Sequence, residues 1–143
     1  MVKEQLVLEM LSALREYVNK LKPLQNISLD EIASDYVSYW AVLHGLQLAI
    51  QCTIDIGSHL LSGSGTERPA DYKNVNLGLG RQGIIPSDFA QRFQGIAGFR
   101  NILVHQYLQV DVEIVYEQLK QGLEDFEQFM VFVHKYLQKI KSK

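Results

Sequence analysis

The stretch from Asp111 to Leu137 reads DVEIVYEQLKQGLEDFEQFMVFVHKYL and carries the clearest periodicity in the chain. Its apolar residues recur every three or four positions, which is the spacing of one face of an α-helix. The members of this face are Val112, Val115, Leu119, Leu123, Phe126, Met130, Val133 and Leu137. A helix with such a face has to cover it against other elements, so the sequence predicts a core built around a helix that begins at Asp111.

The N-terminal half of the chain also has helical spacing. From Lys3 to Lys22 the apolar residues predict one buried face, and Pro23 ends the pattern. This face consists of Leu6, Met10, Ala13, Leu14, Tyr17 and Leu21. Ser28, followed by Glu31 three residues later, has the pattern of a capping box. A long helical pattern then runs towards Leu61, either as one helix bent at its glycines or as two helices in sequence.

A further helix is predicted to begin near Asp88 with Ser87 as its cap. It directs Phe89, Phe93, Ile96, Phe99 and Leu103 towards the core. The glycine-rich segment before it, from Leu77 to Ile85, is predicted to be a turn. Its letters GLGRQG at 78–83 match the dinucleotide-binding pattern GxGxxG, but no strand precedes them, so a nucleotide role is rejected. Since no segment alternates like a strand, the fold class is all-α, an up-and-down bundle of about five helices in one domain, residues 1–143.

Composition narrows the class of protein. Apolar residues make up 47% and charged residues 21% of 143, which is typical of a globular domain. A net charge of −2 does not suit a protein that binds nucleic acid tightly through a global basic field. Cys52 is the single cysteine, which excludes an intrachain disulfide. The N-terminus does not resemble a signal peptide and polar residues interrupt the longest apolar run, so we expect a cytoplasmic protein with no membrane segment.

Two other groupings are assigned to structure rather than to chemistry. Glycine followed by serine occurs at 57–58 and 63–64, as in nucleotidyltransferases, but the Asp-x-Asp pair that would hold divalent metal is absent from the sequence. The chain is therefore not itself a nucleotidyltransferase. The aromatic cluster of Tyr36, Tyr39 and Trp40 is interpreted as core or interface rather than as a binding box.

One short segment, Arg100-Asn101-Ile102-Leu103-Val104-His105-Gln106-Tyr107, combines a fixed cation with a residue that titrates near neutral pH. At about 100° per residue, Arg100, Asn101 and His105 point away from the apolar side of their helix. Val104 and Leu108 fall among them, and such a mixed face is typical of an interface. Arg100 and His105 lie about 140° apart, which is awkward for one small substrate. A two-fold dimer would bring the two residues of both protomers together.

Arg100-x4-His105-x-Tyr107 resembles the R-x4-H-x-Y signature of the HEPN superfamily, and of its HepT branch in particular. Asn101 after the arginine fits the same branch, as do four further features. These are Pro69-x2-Tyr72 before the glycine turn, Ile84-Ile85 after it, Asp55-Ile56-Gly57 in the long helix, and Asp111 at the start of the last helix.

The resemblance implies a homodimeric, metal-independent endoribonuclease that acts as the toxin of a type VII toxin–antitoxin pair and needs no cofactor. Its implied partner is an MNT-type nucleotidyltransferase antitoxin, which would attach AMP to Tyr107. In the implied reaction on RNA, His105 is general base or acid and Arg100 stabilises the charge of the phosphorane. Asn101 would orient His105 or bind a phosphate oxygen.

Two other functions stay open from the residues alone. In the first, the chain is a non-catalytic companion subunit that binds nucleotide or positions substrate for a nucleotidyltransferase. In the second, it is a plain helical dimerisation module. Both the toxin and the companion subunit would have a nucleotidyltransferase encoded next to them, but neither of these two alternatives requires RNA cleavage.

Overall fold

A computed structural model of the chain describes residues 2–65, 72–105 and 110–142. These residues form seven α-helices, and the described part contains no strand. The helices are α1 (Glu4–Leu21), α2 (Leu29–Ser34), α3 (Tyr36–Gly63), α4 (Tyr72–Arg81), α5 (Ser87–Phe93), α6 (Gly95–His105) and α7 (Val112–Lys141), with a short 3-10 turn (Lys22–Asn26) after α1. The predicted all-α class is confirmed. The described helices outnumber the predicted five or so because the long pattern after Ser28 and the segment after Asp88 each form two helices, and because α4 extends into the segment predicted as a turn.

The three long helices α1, α3 and α7 contact one another and supply most of the core. Leu14 of α1, Ile54 of α3 and Phe126 of α7 are almost completely buried within it. Burying a side chain of this kind contributes about 1.5–3 kcal/mol. Asp111 caps α7 as predicted, because its carboxylate accepts a hydrogen bond from the Glu113 amide at 2.9 Å.

The face predicted for α1 is partly wrong. Leu14 and Leu21 are buried as expected, but the other buried residues of the helix are Val7, Leu11 and Val18. The remaining predicted members, Leu6, Met10, Ala13 and Tyr17, are half-buried or exposed. The helix carries two neighbouring apolar stripes, and its packing on α3 and α7 decides which of them is buried.

The long pattern after Ser28 forms two helices, which is one of the two predicted alternatives. Ser28 accepts from the Glu31 amide at the start of α2, and Asp35 accepts from the Val37 amide at the start of α3. Once begun, α3 runs uninterrupted through its glycines. At Gly57 an added Cβ would lie 2.7 Å from Val75 Cγ1, so glycine there allows α4 to approach closely.

The turn predicted from Leu77 to Ile85 is only half correct, since its first residues belong to α4. At Gly80 an added Cβ would lie 2.7 Å from the Cβ of Ala90, so α4 packs tightly on α5 there. The turn follows α4, and Gly83 adopts a φ of 73° within it. Close helix packing therefore explains the first part of the glycine-rich segment.

The single helix predicted from Asp88 to Leu103 is wrong, because α5 ends at Phe93 and α6 begins at Gly95. The predicted cap is wrong as well. Ser87 is already the first helical residue, and Pro86 precedes it without a side-chain cap. Phe93 and Ile96 are both buried, so the helical spacing of apolar residues continues across the break. For this reason the spacing alone does not predict that the helix is interrupted there.

None of the described helices is both long enough and apolar enough to cross a membrane.

Candidate active site on α6

The helix α6 carries the arginine, the asparagine and the histidine of the sequence motif. Ile96, Phe99 and Leu103 are buried and fix α6 to the rest of the molecule, as their helical spacing predicted. Asn101 and His105 are exposed on the other side of the helix. The structure thus anchors one face of α6 and leaves two of the three chemically important side chains accessible.

Arg100 is half-buried and lies against α3, so it does not simply extend into solvent. Its Nε donates to Gln51 Oε1 at 3.2 Å. Its Nη1 donates to Asn101 Oδ1 at 3.3 Å. Both acceptors are uncharged amide oxygens, and these two bonds therefore orient the guanidinium without cancelling its charge.

Asn101 supports Arg100 in this structure. The sequence assigned it either to the orientation of His105 or to a phosphate oxygen. The observed bond from Arg100 engages its oxygen, and its NH2 group is a donor of the kind that phosphate oxygens accept.

His105 is the last residue of α6 and is exposed. It follows Arg100 by five residues, or about 7.5 Å along the helix axis and about 140° around it. The two side chains therefore do not converge on one small group within a single chain.

Tyr107 and Leu108, which the sequence assigned to the AMP-modified position and to the mixed interface face, lie outside the described residues. Pro69 of the family pattern also lies outside them. Val110 is described and is half-buried, but it precedes α7 and is not part of α6.

Sequence reasoning missed one residue of the site. Gln51 accepts from Arg100 and donates from Nε2 to Asp55 Oδ1 at 2.9 Å. From the sequence, Asp55 is assigned only to the resemblance with the HepT branch and is given no role in the site. The available signal was a polar stripe on α3 at four-residue spacing, Gln47, Gln51 and Asp55, which interrupts an otherwise apolar run.

A groove of about 350 Å³ lies between α1 and α3 beside this polar chain. Its walls include the α1 stripe of Leu6, Met10, Ala13 and Tyr17, and Gln51 and Asp55 also line it. The groove therefore explains why these four α1 residues are not fully buried.

The three residues of the aromatic cluster at the start of α3 differ in how far they are buried. Tyr36 is 64% exposed and Trp40 62% exposed, and their rings meet edge to face with centroids 4.9 Å apart. The core interpretation is therefore wrong for these two residues, and the interface interpretation stays a prediction for them. Tyr39 is half-buried against the core.

Comparisons with known proteins identify the family of the chain. A family model described as "Ribonuclease HepT-like" matches residues 9–133. The tRNA nuclease HepT of Aphanizomenon flos-aquae is 28% identical over 127 residues, which cover 89% of this chain and 86% of that protein. The mRNA nuclease HepT of Shewanella oneidensis is 27% identical over 112 residues, covering 77% and 84%.

Solved structures share the fold. The tri-AMPylated HEPN toxin of Shewanella oneidensis, in complex with MNT antitoxin, superimposes with a TM-score of 0.82 at 21% identity, over 90% of this chain and 96% of that one. YutE of Bacillus subtilis, a cytosolic protein of unknown function, gives a TM-score of 0.83 at 17% identity, over 96% and 92%. Since the family model spans most of the sequence, this chain belongs to the HepT-like ribonuclease family.

Proposed function

We propose that the chain is the endoribonuclease toxin of a type VII toxin–antitoxin pair, active as a homodimer and independent of metal. The observation that carries the proposal is the oriented, partly buried guanidinium of Arg100 on the same helix as the exposed His105. The relatives of the chain include a tRNA nuclease and an mRNA nuclease, which supports the proposal. The cytoplasmic location expected from the sequence goes with this proposal.

RNA supplies its own nucleophile, the ribose 2′-OH. His105 as general base accepts the 2′-OH proton while the oxygen attacks the adjacent phosphorus. Arg100 stabilises the negative charge on the phosphorane oxygens. The bond from phosphorus to the 5′-oxygen then breaks, that oxygen receives a proton, and a 2′,3′-cyclic phosphate remains.

A dimer would solve the angular separation of Arg100 and His105. Across a two-fold axis the arginine of one protomer can face the histidine of its partner. Each such site holds one arginine and one histidine. The imidazole that accepts the 2′-OH proton as base becomes an imidazolium, which can return a proton to the leaving oxygen as acid.

We also propose that an MNT-type nucleotidyltransferase antitoxin controls the toxin by transferring AMP to Tyr107. The adduct would place bulk and a phosphodiester anion two residues beyond His105. Such an anion repels the RNA backbone and competes for Arg100. The AMPylated toxin of Shewanella oneidensis in complex with MNT antitoxin supports this form of control.

The test is cleavage of RNA in EDTA by wild type, Arg100→Ala and His105→Ala. The matched control is Arg92→Ala on α5, whose guanidinium bonds Asp125 and Gln128 away from the motif. We expect both motif variants to lose at least about 100-fold in rate and the control to stay near wild type. If wild type neither cleaves RNA nor arrests growth, the companion-subunit hypothesis replaces this one.

A further inference from the structure

Gln51 on α3 lies between Asp55 and Arg100 and contacts both. Its Oε1 accepts from Arg100 Nε at 3.2 Å, and its Nε2 donates to Asp55 Oδ1 at 2.9 Å. Gln51 and Asp55 are one helical turn apart, which is the spacing at which side chains of one helix meet. The result is a continuous polar chain of Asp55, Gln51, Arg100 and Asn101 that joins α3 to α6.

Only one orientation of the Gln51 amide satisfies both neighbours. An ionised carboxylate only accepts hydrogen bonds, and a guanidinium only donates them. The NH2 group must therefore face Asp55, and the oxygen must face Arg100. In the reverse orientation two donors would face each other at Arg100, and two acceptors at Asp55.

We propose that Gln51 and Asp55 are positioning residues for the catalytic arginine. Asp55 fixes the orientation of the Gln51 amide, and the Gln51 oxygen then fixes the guanidinium of Arg100. This inference rests on the proposed ribonuclease function, since it assigns the arrangement a role in orienting a catalytic group.

The polar chain keeps the negative charge one residue away from Arg100. A carboxylate bonded directly to the guanidinium would hold it as firmly but would compete with the RNA phosphate for the same donors. A neutral amide holds it through Nε without adding a competing negative charge of its own. The presence of glutamine rather than glutamate at position 51 therefore has a chemical reason.

The first variant to test is Gln51→Met, which keeps length and volume and removes the acceptor. We expect kcat for RNA cleavage to fall about 10- to 100-fold with little change in KM, because a displaced catalytic group affects the transition state more than binding. The matched control is Gln128→Met. Gln128 is likewise half-buried and accepts from an arginine on another helix, Arg92, at 3.0 Å.

Two further variants separate positioning from packing. Gln51→Glu keeps the size and an acceptor for Arg100, but it puts a carboxylate there and removes the donor to Asp55. We expect kcat to fall although the contact with Arg100 is retained, whereas a role that needs only the volume of the side chain predicts normal kcat. Asp55→Ala, at an exposed position, should lower kcat about 3- to 10-fold in the wild type and have no further effect in the Gln51→Met background.

The outcomes are distinct from those of the proposed function. If wild type cleaves RNA and Arg100→Ala does not, while Gln51→Met and Gln51→Glu both match Gln128→Met, the positioning inference is wrong and the ribonuclease assignment stands. An additive effect of Asp55→Ala in the Gln51→Met background also overturns the inference. If wild type does not cleave RNA at all, the proposed ribonuclease function is wrong, and with it the inference that rests on it.

Thermal unfolding of each variant is measured beside its kinetics. Should a Gln51 variant unfold, the kcat of Asp55→Ala still tests the inference, because Asp55 is at an exposed position.

Discussion

Asn76 of α4 donates from Nδ2 to the carbonyl oxygen of Phe93 at 3.3 Å, in the break between α5 and α6. In a continuous helix that carbonyl would accept from the Ala97 amide, but the Ala97 amide bonds Gln94 O at 3.2 Å instead. A fully buried side chain thus satisfies the carbonyl that the break releases. This bond joins α4 to the end of α5, directly before the helix that carries Arg100.

Replacing Asn76 with leucine should destabilise the protein by about 1–3 kcal/mol, because the Phe93 carbonyl would be left buried without this donor. The Oδ1 of Asn76 is itself without a partner in the described part of the chain, so its removal offsets some of the loss. Urea denaturation measures the change, with the exposed Asn19→Leu on α1 as control. Equal midpoints for the two variants would contradict the assigned role.

Alanine substitutions at two helical glycines should have opposite effects on stability. At Gly57 the new methyl group would meet Val75 Cγ1 at 2.7 Å and Leu79 Cδ1 at 3.0 Å, an overpacking that costs about 1–3 kcal/mol. At Gly98 nothing lies within 4 Å of the added Cβ, so the higher helix propensity of alanine should stabilise by up to about 1 kcal/mol. Thermal unfolding should show Gly98→Ala above and Gly57→Ala below wild type, and the reverse order would refute the close α3–α4 packing.

The Cys52 thiol should be unreactive at neutral pH. Burial, and secondarily the charge of Asp55, raise its pKa to about 11, and its Sγ donates to Met10 O at 3.2 Å. Alkylation by iodoacetamide should therefore be slow at pH 7.5 and accelerate as pH approaches 11, since the thiolate is the nucleophile. Asp55→Asn should speed alkylation at a given pH. Rapid labelling of the folded protein at pH 7.5 would contradict the raised pKa.

The same group affects stability at alkaline pH. Because folding raises the pKa of Cys52, the neutral thiol of the native state contributes stability that is fully present below the unfolded-state pKa. That contribution is lost as pH rises through about 11. Cys52→Ser should flatten this part of the stability profile, measured by urea midpoints between pH 8 and pH 11. An unchanged slope would show that other groups cause it.

A mixture of Arg100→Ala and His105→Ala proteins should recover activity if the active site forms between protomers. Each homodimer lacks one of the two groups at both sites, whereas a mixed dimer retains one site with an intact arginine and an intact histidine. Random exchange would give a mixture with up to about a quarter of wild-type activity, since half of the dimers are mixed and each has one intact site. RNA cleavage after co-refolding measures it. No recovery, with subunit exchange demonstrated by differently tagged chains, would place the whole site in one protomer.

Local pattern was sufficient for much of the fold. The apolar repeat predicted α7 and its start at Asp111, and Ser28 was correctly identified as a cap. Helical geometry placed Phe99 and Leu103 in the core with His105 outside. These features depend on residues three or four positions apart along one helix, and that spacing can be read directly from the chain. The R-x4-H-x-Y pattern belongs to the same class, because all its described members lie within one helix.

Features that depend on contacts between helices were decided only by the tertiary structure. At the break between α5 and α6, the Phe93 carbonyl accepts a hydrogen bond from Asn76, which lies 17 residues earlier in the chain. The stripe of α1 that is buried depends on the surfaces of α3 and α7. The bond between Gln51 and Arg100 joins residues 49 positions apart, and periodicity carries no information about such a pair. The sequence by itself placed the catalytic candidates on the outer face of a helix whose other face is apolar. The packing of α6 on α3 determined what orients Arg100, because hydrogen bonds between elements exist only after the chain has folded.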